Sequence, residues 1–160
     1  MPTEIERRWL VTALPPLNGA GVRIVQGYLA VDADGTEVRL RRKADRYHLT
    51  TKRGDGLERS ELECEVPQAV FDAHWPAAER RALAKVRHTL QHAGRTIELD
   101  LFEGALAPLA IAEVEFPDAA AAAAFAPPAW FGTEVTDDVR YRNRSLAMRS
   151  AYCDQGPLPR

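Results

Sequence analysis

Charge falls on every second residue through most of this chain. Glu4, Glu6 and Arg8 alternate with Ile5, Arg7 and Trp9, and Arg39 and Arg41 alternate with Val38, Leu40 and Arg42. Glu61, Glu63 and Glu65 alternate with Leu62, Cys64 and Val66. The same step of two recurs at Thr50 and Lys52, Lys85 and Arg87, Glu98 and Asp100, and Glu113 and Glu115. A period of two sends successive side chains to opposite faces of a strand, whereas a helix would scatter them around its axis. The chain is therefore read as strands with one charged and one apolar face.

Turn residues separate these segments. Asp34-Gly35, Ala44-Asp45, Gly54-Asp55-Gly56 and Ala93-Gly94 mark tight connections, and Gly104 to Pro108 leads into the strand around Glu113. With Thr3–Val11 and Arg23–Val31 the pattern predicts eight strands, paired mostly as sequential antiparallel hairpins. Pro67 to Trp75 is predicted helical, with Pro76 breaking or kinking it and Ala77 to Arg81 adding a further turn. Asp118 is placed to cap a helix through Ala119–Ala124, and Asp137 or Asp138 to cap a short one toward Tyr141. One domain spans 1–160, with a core of about 3–146 and a C-terminal tail, 147–160, mobile after Tyr152.

Two arrangements satisfy the alternation. The charged faces could meet solvent as a sheet laced with cross-strand ion pairs. Alternatively, the sheet closes into a barrel with charge inside and helices over part of its apolar exterior. The grouping of charge favours closure, because acids pair with acids on some strands and bases with bases on others. Acids two residues apart suit a hard divalent cation, and bases at the same spacing suit a phosphate chain. Lys and Arg number 21 against 23 Asp and Glu, with a pI near 6.1, which argues against a nucleic-acid-coating surface. The chain lacks the ~20-residue apolar run of a membrane span. Met1 to Leu10 is charged, unlike a signal peptide, so a cytoplasmic location is expected. Cys64 and Cys153 form no C-x-x-C pair; parity puts Cys64 on the apolar face, as a core thiol. There is no P-loop.

Glu4-Ile5-Glu6-Arg7-Arg8 resembles the E-x-E-x-K signature of the CYTH, or triphosphate tunnel metalloenzyme, superfamily. The resemblance runs in order through Gln26 to Leu29, Val38 to Arg41, Leu49 to Lys52, Glu61 to Pro67, Lys85 to Arg87, Glu98 to Asp100, Glu113 to Glu115 and Glu134 to Asp137, covering residues 3 to 146. It implies an α+β fold: an eight-stranded antiparallel closed β-barrel, or tunnel, with a few peripheral helices. It also implies metal-dependent hydrolysis of a linear triphosphate, most simply inorganic tripolyphosphate, with Mg²⁺ or Mn²⁺. The implied partner is a triphosphate-containing small molecule, with no nucleic acid and no membrane, for a monomer or homodimer. Family members with other activities keep adenylate cyclase of the class IV type and thiamine triphosphatase open, and a non-catalytic triphosphate-binding module is a further alternative.

Carried over by position, Glu4, Glu6, Glu113 and Glu115 correspond to the principal metal carboxylates, with Glu63 and Asp100 as further acids around the metal. Arg39, Arg41, Lys52, Lys85 and Arg87 correspond to the phosphate clamp, and Arg59 extends it. Catalytic roles fall to Arg8, Glu63 and Lys85. One position departs from the family pattern: Arg8 stands where the family has lysine. A guanidinium stays protonated and cannot act as a base, but it can stabilise charge developing on a phosphoryl oxygen. Water activation then falls to a metal-bound water or to a carboxylate such as Glu63. His48 shares the face of Thr50 and Lys52 and is expected at the rim.

Overall fold

A computed structural model describes residues 3–54 and 58–153. The expected turn residues Asp55-Gly56 and the tail beyond Cys153 lie outside the described residues. Eight strands form, each where the alternation places one: β1 (Thr3–Leu10), β2 (Val22–Val31), β3 (Glu37–Lys43), β4 (Arg46–Arg53), β5 (Glu58–Glu65), β6 (Ala82–His92), β7 (Arg95–Phe102) and β8 (Ala110–Phe116). They close into one barrel in the order β1-β5-β4-β3-β2-β6-β7-β8, every neighbouring pair antiparallel. Closure comes through β1, which pairs with β5 on one side and with β8 on the other.

The turns explain the hairpins. Between β2 and β3 the Gly35 amide donates to Asp32 O at 3.1 Å, and Gly35 takes φ +81°, a left-handed value that glycine adopts without strain. Ala93 (φ +50°) and Gly94 (φ +73°) form a two-residue turn between β6 and β7, with the positive φ values such hairpins need.

Three helices cover parts of the apolar exterior. α1 (Gln68–Ala78) packs Phe71 on Leu40 and stacks it with Trp75 at 5.0 Å between ring centroids. α1 runs through Pro76 to Ala78, and a 3₁₀ turn, Glu79–Arg81, follows directly, so the further turn expected over Ala77 to Arg81 forms while Pro76 does not end the helix. Proline there removes one hydrogen bond within the last turn, and the Phe71–Trp75 stack secures the preceding one. α2 (Ala119–Ala124) is capped by Asp118, whose Oδ1 accepts from the Ala121 amide at 2.7 Å. It lies over Trp9 and Phe116, with Phe125 and Phe131 completing the aromatic cluster. α3 (Asn143–Cys153) was not anticipated from the sequence: it has no strong apolar stripe, yet buries Leu146 and Ala147 against Tyr28, Leu83 and Phe102. The expected core boundary at 146 falls within this helix. Asp138 does cap a 3₁₀ turn, Val139–Tyr141, ahead of it.

The expectation of a core thiol at Cys64 is corrected. Parity does turn it outward, opposite Glu63, but among the described residues no helix covers that stretch of β5. Cys64 is exposed and neighbouring Leu62 is 58% exposed.

Candidate active site

The charged faces meet inside the barrel and not in solvent. They enclose a cavity of about 180 Å³ lined by Glu4, Glu6 and Arg8 of β1, Gln26 and Tyr28 of β2, Glu37, Arg39, Arg41 and Lys43 of β3, and Lys52 of β4. Arg59 and Glu61 of β5, Lys85 and Arg87 of β6, Glu98 of β7 and Glu113 and Glu115 of β8 complete the strand lining. Arg142 and Asn143, at the start of α3, also reach it. Burying this much charge is sustainable only where each group is paired or hydrogen-bonded.

The pairing is close to complete. Lys52 Nζ reaches Glu4 Oε2 at 2.6 Å and also pairs with Glu61. Arg8 bridges Glu6 and Glu113, the latter at 3.3 Å. Arg87 contacts Glu113 at 3.0 Å and Glu98, and grips both oxygens of Asp100, at 2.6 Å and 2.7 Å. Lys85 pairs with Asp100 and donates to Asn143 Oδ1 at 3.2 Å. Arg41 meets Glu63 at 2.6 Å, Arg39 lies 3.9 Å from the same carboxylate, and the Thr50 hydroxyl donates to it at 2.6 Å. Arg59 faces Glu37 at 3.2 Å. The Nε groups of Arg39 and Arg41 are nevertheless buried without a hydrogen-bond acceptor among the described residues.

Proton affinities divide the acids into two sets. Burial pushes Glu4 up to about 7, aided by Glu6 and opposed by Lys52. Glu115 is raised by burial and by Glu6 and Glu98. Burial would raise Glu113 as well, but Lys85, Arg8 and Arg87 outweigh it and hold it near 2. Burial likewise opposes ionisation of Glu63, yet the Thr50 hydroxyl and Arg41 keep it below the usual carboxylate range. Burial lowers Lys85, against the pull of Asp100. Glu4 and Glu115 thus favour their protonated forms more than a free carboxyl does, whereas Glu63 and Glu113, set among the bases, favour ionisation.

Of the residues singled out from the sequence, Glu4, Glu6, Arg8, Arg39, Arg41, Lys52, Arg59, Lys85, Arg87, Glu113 and Glu115 share the one cavity. Glu63 and Asp100 do not line it; each stands behind two of the bases. Among the described residues no three Asp, Glu, His or Cys side chains converge closely enough to hold a cation as they stand, the carboxylates being turned toward guanidinium and ammonium groups. His48 is half-buried beside Glu63 and Glu65, its charged form disfavoured first by burial. Gln26 and Tyr28 fall within the segments that carry the family resemblance, but neither they nor Glu37 and Lys43 receive a site role from the sequence, although their parity with Arg39 and Arg41 across the β2–β3 pair puts them on the same face. Burial, with Glu37 adding to it, raises the Tyr28 phenol.

No protein-family model matches the chain. An inorganic triphosphatase of Nitrosomonas europaea is 44% identical over 147 residues, covering 91% of this chain and 97% of that protein. An inorganic triphosphatase of Acetivibrio thermocellus is 38% identical over 149 residues, covering 91% and 94%. A crystal structure of an inorganic triphosphatase superposes with a TM-score of 0.70 at 42% identity, covering 92% of this chain and 96% of that one. A proposed adenylyl cyclase from Hippeastrum, described as having a dominant triphosphatase activity, shares the fold alone at 15% identity and a TM-score of 0.54, over 72% of this chain and 80% of its own. Matched at 38–44% identity along nearly the whole length of these inorganic triphosphatases, the chain belongs to the inorganic triphosphatase family.

Proposed function

We propose that this protein hydrolyses the terminal phosphoanhydride of a linear triphosphate, inorganic tripolyphosphate being the simplest substrate, as a metal-dependent member of the CYTH superfamily. The observation that carries the reading is the lining of the closed barrel. Among the described residues the buried Nε groups of Arg39 and Arg41 lack acceptors, and the carboxylates of Glu4, Glu6, Glu113 and Glu115 line the same cavity. Phosphate oxygens supply the missing acceptors, and a divalent cation suits the group of carboxylates.

The donor set fits a hard divalent cation, being all carboxylate oxygen on one stretch of the cavity wall. Glu4, Glu6, Glu113 and Glu115 would hold it. A bound Mg²⁺ or Mn²⁺ neutralises phosphate oxygens and lowers the pKa of water. Arg39, Arg41, Lys52, Arg59, Lys85 and Arg87 grip the phosphate chain, arginines through paired N–H groups and lysines as point charges. Arg8, between Glu6 and Glu113, stabilises charge on the phosphoryl group in transfer. Its guanidinium is fixed as a cation: burial opposes the charge, but Glu6 and Glu113 more than compensate. Glu63, held ionised by Thr50 and Arg41, is better suited to orienting Arg39 and Arg41 than to accepting a proton. A charged cavity walled by the barrel holds the reacting groups in line, and positioning with charge stabilisation is most of what phosphoryl transfer requires.

The test is phosphate release from tripolyphosphate, ATP and thiamine triphosphate, each with Mg²⁺, Mn²⁺ or EDTA. Metal-dependent release from tripolyphosphate, with little from the others, is the expected result. A large thermal shift on adding tripolyphosphate, with no phosphate released from any substrate, would replace hydrolysis by binding.

A further inference from the structure

We infer that Asp100 is a positioning residue that fixes Lys85 and Arg87 for the phosphate chain, and is not a metal ligand. The inference deepens the triphosphate reading and rests on it. Asp100 is wholly buried and does not line the cavity. Both of its oxygens are taken: Oδ1 accepts from Arg87 Nε at 2.6 Å, while Oδ2 accepts from Arg87 Nη2 at 2.7 Å and from Lys85 Nζ. Three of the carboxylate's roughly four lone-pair sites are filled by these two bases, and the group stands behind the cavity wall. The geometry is set by the sheet. Asp100 lies directly opposite Arg87 in the β6–β7 register, and Lys85 is two residues back on the same face of β6. Two long, flexible cations are thereby held side by side in the wall, with little rotamer freedom left to lose when phosphate arrives. Asn143 holds Lys85 from a second side.

The opposing roles predict effects of opposite sign. Were Asp100 only a negative charge near the phosphates, removing it would tighten anion binding. As a positioning residue, its loss frees Lys85 and Arg87 and weakens that binding. Asp100→Asn keeps the shape and removes the charge. Calorimetric titration with tripolyphosphate in EDTA reads the clamp without any metal. The expected result is a Kd about tenfold or more weaker than wild type. In the turnover assay KM rises correspondingly, and the metal concentration for half-maximal rate stays within about twofold. Asp100→Glu, which restores the carboxylate one methylene away, should recover part of the loss and carries the same comparison if Asp100→Asn does not fold. In an Arg87→Met background, Asp100→Asn should cost much less, since one of the groups it positions is gone. Unchanged or tighter tripolyphosphate binding would overturn the inference. So would a raised metal requirement with KM unaltered, which would return Asp100 to the metal. Because the EDTA titration needs no turnover, it stands even if wild-type protein releases no phosphate, an outcome that would count against the triphosphatase reading alone.

Discussion

Arg8 concentrates the residue-scale question. It spans two carboxylates assigned to the cation, Glu6 and Glu113, so its charge balances the site before any ligand enters. Arg8→Lys exchanges a forked, permanently charged donor for a smaller ammonium with a titratable proton. A change in kcat of about tenfold, with KM nearly constant, is expected; an unaltered kcat would place residue 8 outside the chemistry. Glu115→Gln removes a carboxylate whose raised proton affinity reflects burial and the neighbouring acids Glu6 and Glu98. Metal-dependent turnover should fall on the order of 100-fold or more, while the far-ultraviolet circular dichroism is unchanged; retained turnover would remove Glu115 from the metal set. At this scale the sequence was informative wherever strand parity governs. Every acid or base assigned from an E-x-E or R-x-R step entered the barrel, and Glu63 and Asp100 differ only in standing a layer behind the cavity wall. Arg142 and Asn143 follow the last strand in the chain, where no period exists to say that they reach the same cavity.

Strands were legible as elements because each must satisfy two unlike environments, and that requirement is written into alternate residues. Helices were less so. α1 passes through a proline in its last turn, and α3 is too weakly amphipathic to announce itself, being held by Leu146 and Ala147 against the barrel. Cys64 shows the same gap: parity gives the face, but which part of the outer face a helix covers is decided by tertiary packing. One close approach between elements carries a direct prediction. A Cβ at Gly27 of β2 would stand 2.8 Å from Ala78 O at the end of α1, and that backbone has no flexible end to yield. Gly27→Ala should therefore lower stability by about 1–3 kcal/mol, read from the urea midpoint. Asp118→Ala, which removes the acceptor of the Ala121 amide, should cost about 1 kcal/mol in the same measurement.

For the molecule as a whole, opposed titrations set the pH response. Glu4 in the folded protein titrates near 7 against 4.5 as a free side chain, so the folded state binds the extra proton between those values. Its contribution to unliganded stability therefore falls as pH rises through that window. Glu113, near 2, does the reverse: its contribution is present above 4.5 and is lost as pH falls toward 2. A cation at Glu4 must displace that proton, so the rise in Tm caused by Mg²⁺ with tripolyphosphate should grow from about pH 6 to about pH 8. A rise constant over that range would exclude Glu4 from the cation. Closure through β1 governs a different process, the emergence of the chain during synthesis. β1 is made first, yet its partners are β5 and β8, the latter ending at Phe116. At ~5–20 residues per second, its backbone donors and acceptors wait for several seconds until β8 has been made. Throughout that interval the edge of β1 that β8 will occupy is unpaired in the nascent polypeptide, and its half-apolar face is the kind of segment a holding chaperone at the ribosome protects.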